Sequence, residues 1–299
     1  MKKILVIGGN GFIGRNILNL FSKHDGWKVY SFDISTPQII NHKIEYIEGD
    51  FFDDNVLENA IDGMDFIIHS LSTVNPGNSN VKFMQGYGRD FIQTVKLCAM
   101  LVEKRIPMIF LSSGGTVYGV QNMQPIKEDA LPIPINHYGS TKLCIETAIR
   151  TFNIQAHSKM RIARISNPYG PGQDYHKGVG FVDAAIKKLI HRETLEVWGD
   201  GEIIRDYIYI DDVCGMLEAL VDYEGDEEVF NLSSGQGVSQ NMIVDSMKKI
   251  NPEFDVLYKE ARSVDVKKMI LDNSKIKKIY NKKITTFPEG IEKYYRYLL

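Results

Sequence analysis

The sequence predicts an α/β fold: a doubly wound parallel sheet, Rossmann-like, with a smaller mixed α/β subdomain attached. Three observations predict it. Short apolar runs ending in turn residues alternate with stretches of helical period through the first two-thirds of the chain. The first run breaks into Gly8-Gly9-Asn10-Gly11-Phe12-Ile13-Gly14. After Arg164 the texture changes at a dense turn cluster, Asn167-Pro-Tyr-Gly-Pro-Gly172.

The strand candidates are Ile4–Ile7, Lys28–Asp33, Ile44–Glu48, Phe66–His69, Met108–Ser112 and Lys159–Arg164. Between them, Ile13–Ser22, Asn55–Ile61, Asp90–Lys104 and Tyr138–Ile154 carry apolar residues three and four apart, as crossover helices do. The helix with Phe91, Val95, Cys98 and Val102 on one face has a second apolar row at Ile92 and Leu101, which suits either a subunit contact or a thickly covered core helix. Val229–Leu232, ending in Ser233-Ser-Gly, reads as a return to the main sheet. The expected organisation is a nucleotide-binding domain at 1–166, its sheet completed by about 206–235, and a substrate subdomain from 167–205 and 236–299.

Composition narrows the function. With 299 residues, 43% hydrophobic and 24% charged, the chain has the make-up of a globular protein with a substantial core, not of a disordered or collagen-like one. A net charge of −3 supplies no broad basic field, so nucleic acid is not an expected partner. Lys275, Lys277, Lys278, Lys282 and Lys283 read as a solvated surface. Cys98, Cys144 and Cys214 lack metal-ligand spacing, as do the seven histidines, so no metal is expected, and scattered thiols fit a cytoplasmic setting. The Met-Lys-Lys start leads into an apolar run of only four residues, too short for a signal peptide, and no run is long enough to span a membrane.

The glycine loop satisfies the spacing of a dinucleotide fingerprint with Gly9, Gly11 and Gly14, or with Gly8, Gly11 and Gly14. Its glycines let bare backbone approach a pyrophosphate at the start of a helix. Asp33 ends the second strand 19 residues after Gly14, where a carboxylate accepts from ribose hydroxyls and repels a 2′-phosphate. No Arg follows it in Ile34-Ser-Thr-Pro37, so NAD is expected over NADP. After the third strand, Asp50 is placed against the adenine amino group and Phe51 beside the ring, or the two form an ordinary polar strand end.

Tyr138 and Lys142 are four apart on a predicted helix and share a face. An ammonium there favours the phenolate, giving a base able to work near neutrality. The pair follows a strand end rich in hydroxyls, Ser112-Ser113-Gly114-Gly115-Thr116-Val117-Tyr118-Gly119.

With the glycine loop, Gly49-Asp50, His69-Ser70-Leu71-Ser72, the Ser112–Gly119 segment, Tyr138-Gly-Ser-Thr-Lys142, the 167–172 turn, Trp198-Gly-Asp-Gly201 and Arg205-Asp206-Tyr207 in order, the chain resembles the extended short-chain dehydrogenase/reductase family, in its nucleotide-sugar epimerase and dehydratase branch. The resemblance implies NAD held by Gly8, Gly11, Phe12, Ile13, Gly14, Asp33, Asp50, Phe51, Ser70, Leu71, Ser112, Tyr138 and Lys142. It implies that Tyr138 takes the proton of a sugar 4-hydroxyl while the nicotinamide takes the hydride, and that Lys142 binds the nicotinamide ribose. For the nucleotide sugar it implies Asn167, Val179, Trp198, Arg205, Arg262 and Asp265, with Met269 near the sugar's substituent; Arg205 reads otherwise as a surface pair with Asp206, and Trp198 as a core aromatic. It also implies a homodimer built on helices 90–104 and 138–152.

Three positions depart from the pattern. The usual catalytic hydroxyl position is Gly114, so Thr116, Ser113 or a water must replace it, Thr116 being favoured. Asp90 stands where the family often has Asn, and Met269 is a mid-sized residue where bulk matters. Dehydratases carry Asp-Glu where this chain has Gly115 and Thr116. The expected activity is therefore an NAD-dependent nucleotide-sugar 4-epimerase, on a UDP-hexose by preference. A 4-keto-sugar reductase and a non-catalytic dinucleotide-sensing protein are the alternatives.

Overall fold

The computed structural model describes residues 1–37, 39–174, 180–261 and 266–299. Strands β1 (Lys2–Ile7), β2 (Trp27–Asp33), β3 (Ile44–Glu48), β4 (Phe66–His69), β5 (Met108–Ser113) and β6 (Met160–Ile165) are those the apolar runs predict, with ends shifted by a residue or so. They alternate with α1 (Phe12–Phe21), α2 (Asp54–Ile61), a short α3 (Phe83–Gln85), α4 (Ile92–Lys104), α5 (Gly114–Val117) and α6 (His137–Ala156). The helix expected from Asp90 starts earlier, because Gly86–Phe91 form a π-helical turn between α3 and α4.

The second part of the chain adds β7 (Asn167–Tyr169), α7 (Phe181–His191), β8 (Leu195–Trp198), β9 (Ile204–Tyr209), α8 (Ile210–Val221), β10 (Val229–Leu232), β11 (Gly237–Ser239), α9 (Gln240–Ile250), β12 (Val256–Lys259), β13 (Lys268–Met269) and α10 (Phe287–Leu298).

The large sheet has seven strands in the order β10-β6-β5-β4-β1-β2-β3. All its pairings are parallel. A sheet covered on both faces needs apolar residues on both, and β1 shows the split. Ile4 and Val6 pack with Ile17, Leu18 and Phe21 of α1 and with Met216, Leu217 and Leu220 of α8. Leu5 and Ile7 pack on the other face with Leu57 and Ile61 of α2, Leu97 and Leu101 of α4, and Ile145 and Ile149 of α6. Each such side chain contributes about 1.5–3 kcal/mol by leaving water. Leu101 thus belongs to the core, and of the second apolar row on α4 only Ile92 is exposed, at 49%.

Val229–Leu232 enters the large sheet beside β6. The strand before it does not: β9 pairs with β7, β11 and β13, while β12 and β8 form a separate parallel pair. A third core lies under these strands, with Ile186 of α7, Ile243 and Met247 of α9 and Ile291 and Tyr294 of α10. The order reverses between β1 and β4, and both the glycine loop and the β5 end open on this side of the sheet, where ligands of doubly wound folds bind.

Candidate active site

The loop after β1 is shaped by close approach. Gly8 has φ +80, and a Cβ on it would lie 2.8 Å from Leu71 N at the end of β4. A Cβ on Gly14 would lie 2.3 Å from Gly8 O, so α1 packs directly onto the loop. Gly11 meets only Gly8 O, at 3.3 Å, and leaves bare backbone at the start of α1. Ser70 Oγ donates to Ile7 O at 2.8 Å and to Gly8 O at 3.1 Å, tying β4 to the loop. At the end of β2, Asp33 accepts from Asn10 N at 2.9 Å through Oδ2 and from Ile34 N at 2.8 Å through Oδ1. A carboxylate thus stands against the glycine loop, as ribose recognition requires.

On the chemical side, Asn136 caps α6 by accepting from Gly139 N at 2.8 Å. The cap starts the helix so that Tyr138 falls in its first turn, with Lys142 one turn on and Glu146 one turn further on the same face. Lys142 is buried, donates from Nζ to Leu111 O at 3.0 Å, and lies 4.6 Å from the Phe110 ring centre and 5.6 Å from that of Tyr138. Burial lowers its pKa to about 8, against the opposing pull of Asp90 and Glu146. Tyr138 behaves differently from the expectation of a phenol lowered by its lysine. Burial first, and the nearby Asp90 second, push it up to about 12. With the phenol partly withdrawn from water and a carboxylate nearby, its neutral form is favoured.

Tyr138 lines a cavity of about 570 Å³ together with Ser113, Thr116, Asn167, Phe12 and Asp183 among others, while Lys142 lies buried behind it. The cavity runs from the start of α1 to the first turn of α7. Thr116 Oγ1 is buried without a hydrogen-bond partner. Gly114 is closed off: a Cβ there would lie 2.3 Å from Leu271 Cδ1 and 3.2 Å from Arg164 O. The missing hydroxyl position therefore faces Leu271, and of the Ser112–Gly119 segment the hydroxyl-bearing residues at the cavity are Ser113 and Thr116. Asn167 lines the cavity with its amide nitrogen donating to Asp206 O at 2.8 Å.

The profile of the NAD dependent epimerase/dehydratase family matches residues 4–233. The chain belongs to that family. It is 28% identical over 295 residues to a putative UDP-glucose 4-epimerase of Methanocaldococcus jannaschii, covering 97% of this chain and 96% of the relative. It is also 28% identical over 281 residues to the dTDP-4-dehydro-6-deoxyglucose reductase of Escherichia coli, covering 90% and 88%. Among solved structures, the UDP-glucose 4-epimerase of Thermotoga maritima with UDP-glucose superposes with a TM-score of 0.92 at 28% identity, over 99% of this chain and 98% of that one.

The cofactor of this epimerase/dehydratase family member is NAD. The residues fit it: the glycine loop presents side-chain-free backbone at the start of α1, and Asp33 abuts it.

Several expected contacts look different in place. Phe51 is 2% exposed, its ring centre 5.0 Å from that of His69 in the core, so its backbone and not its ring is left for an adenine; Asp50 holds the turn by accepting from Phe52 N at 3.0 Å. The Ser112 hydroxyl donates to Glu146 and is turned from the cavity. Met269 is buried among Val117, Tyr118, Ile126 and Leu271, under the segment that carries Thr116, and does not line the cavity. Trp198 is half-buried at the end of β8 with Lys259 Nζ 5.4 Å from its ring centre, and does not line the cavity either. Arg205, half-buried on β9, donates to Ile204 O at 2.9 Å. Asp206 is turned inward instead, accepting from Ser234 N at 2.9 Å and Gly235 N at 3.1 Å. Phe12 lines the cavity and Ile13 packs against the core. Val179, Arg262 and Asp265 lie outside the described residues.

Four residues escaped the sequence reading. Glu146 and Arg164 form a pair with both side chains 2% exposed, Arg164 Nη2 to Glu146 Oε2 being 2.6 Å. The four-residue step from Lys142 was the available signal for Glu146. Asp183 lines the far end of the cavity, accepts from Tyr294 at 3.2 Å, and is raised by burial to about 7. Gln173, also at the cavity, has a buried Oε1 without a partner. For the last two, nothing short of the tertiary fold announces the position. No group of three or more His, Cys, Asp or Glu among the described residues is placed to hold a metal, and none of their helices is long and apolar enough to cross a membrane.

Proposed function

We propose that this family member is a nucleotide-sugar 4-epimerase, with a UDP-hexose as the preferred substrate. The observation that carries the proposal is the shared cavity: Tyr138 on α6 faces the hydroxyl-bearing β5 end across a space that reaches the start of α1. Gly8, Gly11 and Gly14 would bare the backbone for the pyrophosphate of NAD, and Asp33 would take the adenosine ribose. When bound there, NAD supplies a hydride acceptor at the sugar's C4 and, after the sugar turns over, the donor that returns the hydride to the other face.

The chain's own residues manage the proton. The Tyr138 phenolate takes it from the 4-hydroxyl, and in the return step gives it back. Thr116 Oγ1, buried and unpaired, donates to the reacting oxygen as charge gathers there. Lys142 holds positive charge below the phenol and keeps it oriented. Two copies paired through α4 and α6 complete the proposed enzyme.

Incubating the purified protein with UDP-glucose, UDP-N-acetylglucosamine and UDP-glucuronic acid without added cofactor, and following the sugar 4-proton by NMR, tests the reading. Interconversion of one pair of 4-epimers is expected; no interconversion of any would remove it. A second reading, reduction of a 4-keto sugar, is favoured by one observation: with Tyr138 pushed up to about 12, the phenol is protonated at neutral pH, the state in which it donates to a carbonyl oxygen. Stoichiometric oxidation of added NADH or NADPH by a 4-keto sugar nucleotide would select that reading.

A further inference from the structure

The π-helical turn Gly86–Phe91 lies hard against α6, since a Cβ on Gly86 would be 2.7 Å from Thr141 Oγ1, next to Lys142. Single π-helical turns of this kind recur at functional sites. This one carries Asp90, which is 4% exposed. Its Oδ2 accepts from Ser72 Oγ at 3.0 Å and Thr73 N at 2.8 Å, and its Oδ1 from Thr73 Oγ1 at 2.6 Å. Its carbonyl accepts from Thr94 Oγ1 at 2.7 Å, which in turn lies 3.0 Å from His69 Nε2. The carboxylate thus fastens the loop after β4 to the π-helical turn, which itself packs against α6.

A neutral amide of the same shape would serve these bonds equally: its oxygen for Ser72 and Thr73 N, its NH2 turned to the Thr73 hydroxyl, which can accept. What the amide lacks is the negative charge. A carboxylate removed from water is costly unless a cation answers it, and buried Lys142 is the cation at hand.

We propose that Asp90 is a positioning residue whose buried charge, set against the Tyr138–Lys142 face, fixes the pH window in which the pair transfers protons. The proposal rests on Tyr138 being the proton-transfer group. Asp90 acts upward on both Tyr138 and Lys142. No other described group acts on both. Glu146 on α6 also supports Lys142 but is shared with Arg164 of β6. His69 at the end of β4 is driven by burial to about 3 and is neutral. His137, before Tyr138, lies 3.1 Å from Tyr87 OH on the turn, and Arg89 of the turn is stacked 3.9 Å from the Phe52 ring centre. Removing one negative charge lowers both pKa values, so the whole window moves toward acid.

The test compares Asp90→Asn with Thr73→Val, which deletes one of the same hydrogen bonds and no charge. Two quantities are read on the full-length protein: the pH dependence of kcat/KM with UDP-glucose, and the spectrophotometric titration of the Tyr138 phenol, taken against the same protein carrying Tyr138→Phe. Asp90→Asn is expected to move the limbs and the phenol titration to lower pH by about one unit, the size of effect a nearby charge exerts. Thr73→Val is expected to leave them in place. Unmoved titration in Asp90→Asn, or an equal movement in Thr73→Val, overturns the proposal. If the wild-type protein turns over no sugar nucleotide, the epimerase reading fails, and the phenol titration still decides the role of Asp90.

Discussion

Burial presses on Tyr138 and Lys142 in the same sense, toward the uncharged form, and the two respond in opposite directions, the phenol rising to about 12 and the ammonium falling to about 8. At neutral pH the free protein therefore holds a protonated Tyr138 beside a charged Lys142. The positive nicotinamide is the further charge that favours the phenolate, so saturating the protein with NAD+ should lower the Tyr138 titration, seen as new tyrosinate absorbance at a fixed pH that Tyr138→Phe abolishes; an unchanged spectrum would argue against a basic role. Turnover should fall as pH rises past about 8, because Lys142 then loses its proton, and a pH profile still climbing there would contradict the assignment. Replacing Thr116 by Val should lower turnover by about 10- to 10⁴-fold if its hydroxyl shares in proton transfer. Unchanged kcat would move that task to Ser113 or a water. The placement of Tyr138 and Lys142 on one helix face and of Thr116 after β5 could be read from the sequence because spacing on a helix and position after a strand are local properties. The fate of Ser112, whose hydroxyl serves Glu146, could not, since it depends on a helix 34 residues away.

At the scale of elements, α6 carries the chemistry and β6 anchors it. Arg164 Nε and Nη2 reach Glu146 while Nη1 donates to Tyr118 OH at 2.9 Å, so one guanidinium joins β6, α6 and the segment after α5. Removing one partner of such a pair leaves a bare buried charge, and Glu146→Ala should cost about 3–5 kcal/mol in denaturant unfolding, where a loss below about 1 kcal/mol would show the pair to be dispensable. The strands of the large sheet were legible because burial on both faces forces unbroken apolar runs, as in Ile4–Ile7. The π-helical turn was not: Gly86–Phe91 has no periodicity of its own, and its form follows from packing against Thr141. Met269 and Phe51 misled for a related reason. Phe51 follows the turn residue Asp50 and Met269 lies on a short strand beside β9, and in each case tertiary packing sends the side chain into the core.

For the whole molecule, seven parallel strands put the glycine loop and the β5 end on one rim, and the smaller sheets with α7 close the far wall of the cavity. The change of texture after Arg164 announced the second unit, but the pairing of β9 with β7, β11 and β13 rests on contacts between segments up to 64 residues apart, which local pattern does not encode. The same long-range assembly brings Tyr138, Thr116 and Asn167 around one space, and the proposed function requires a single sugar carbon to sit there between the phenol and NAD. Its most direct test uses UDP-glucose deuterated at C4, with the purified protein and no added cofactor. Retention of the label at C4 of the 4-epimer is the predicted result, since the hydride leaves and returns within one site. Epimerisation with loss of the label to solvent, or no epimer at all, would contradict it.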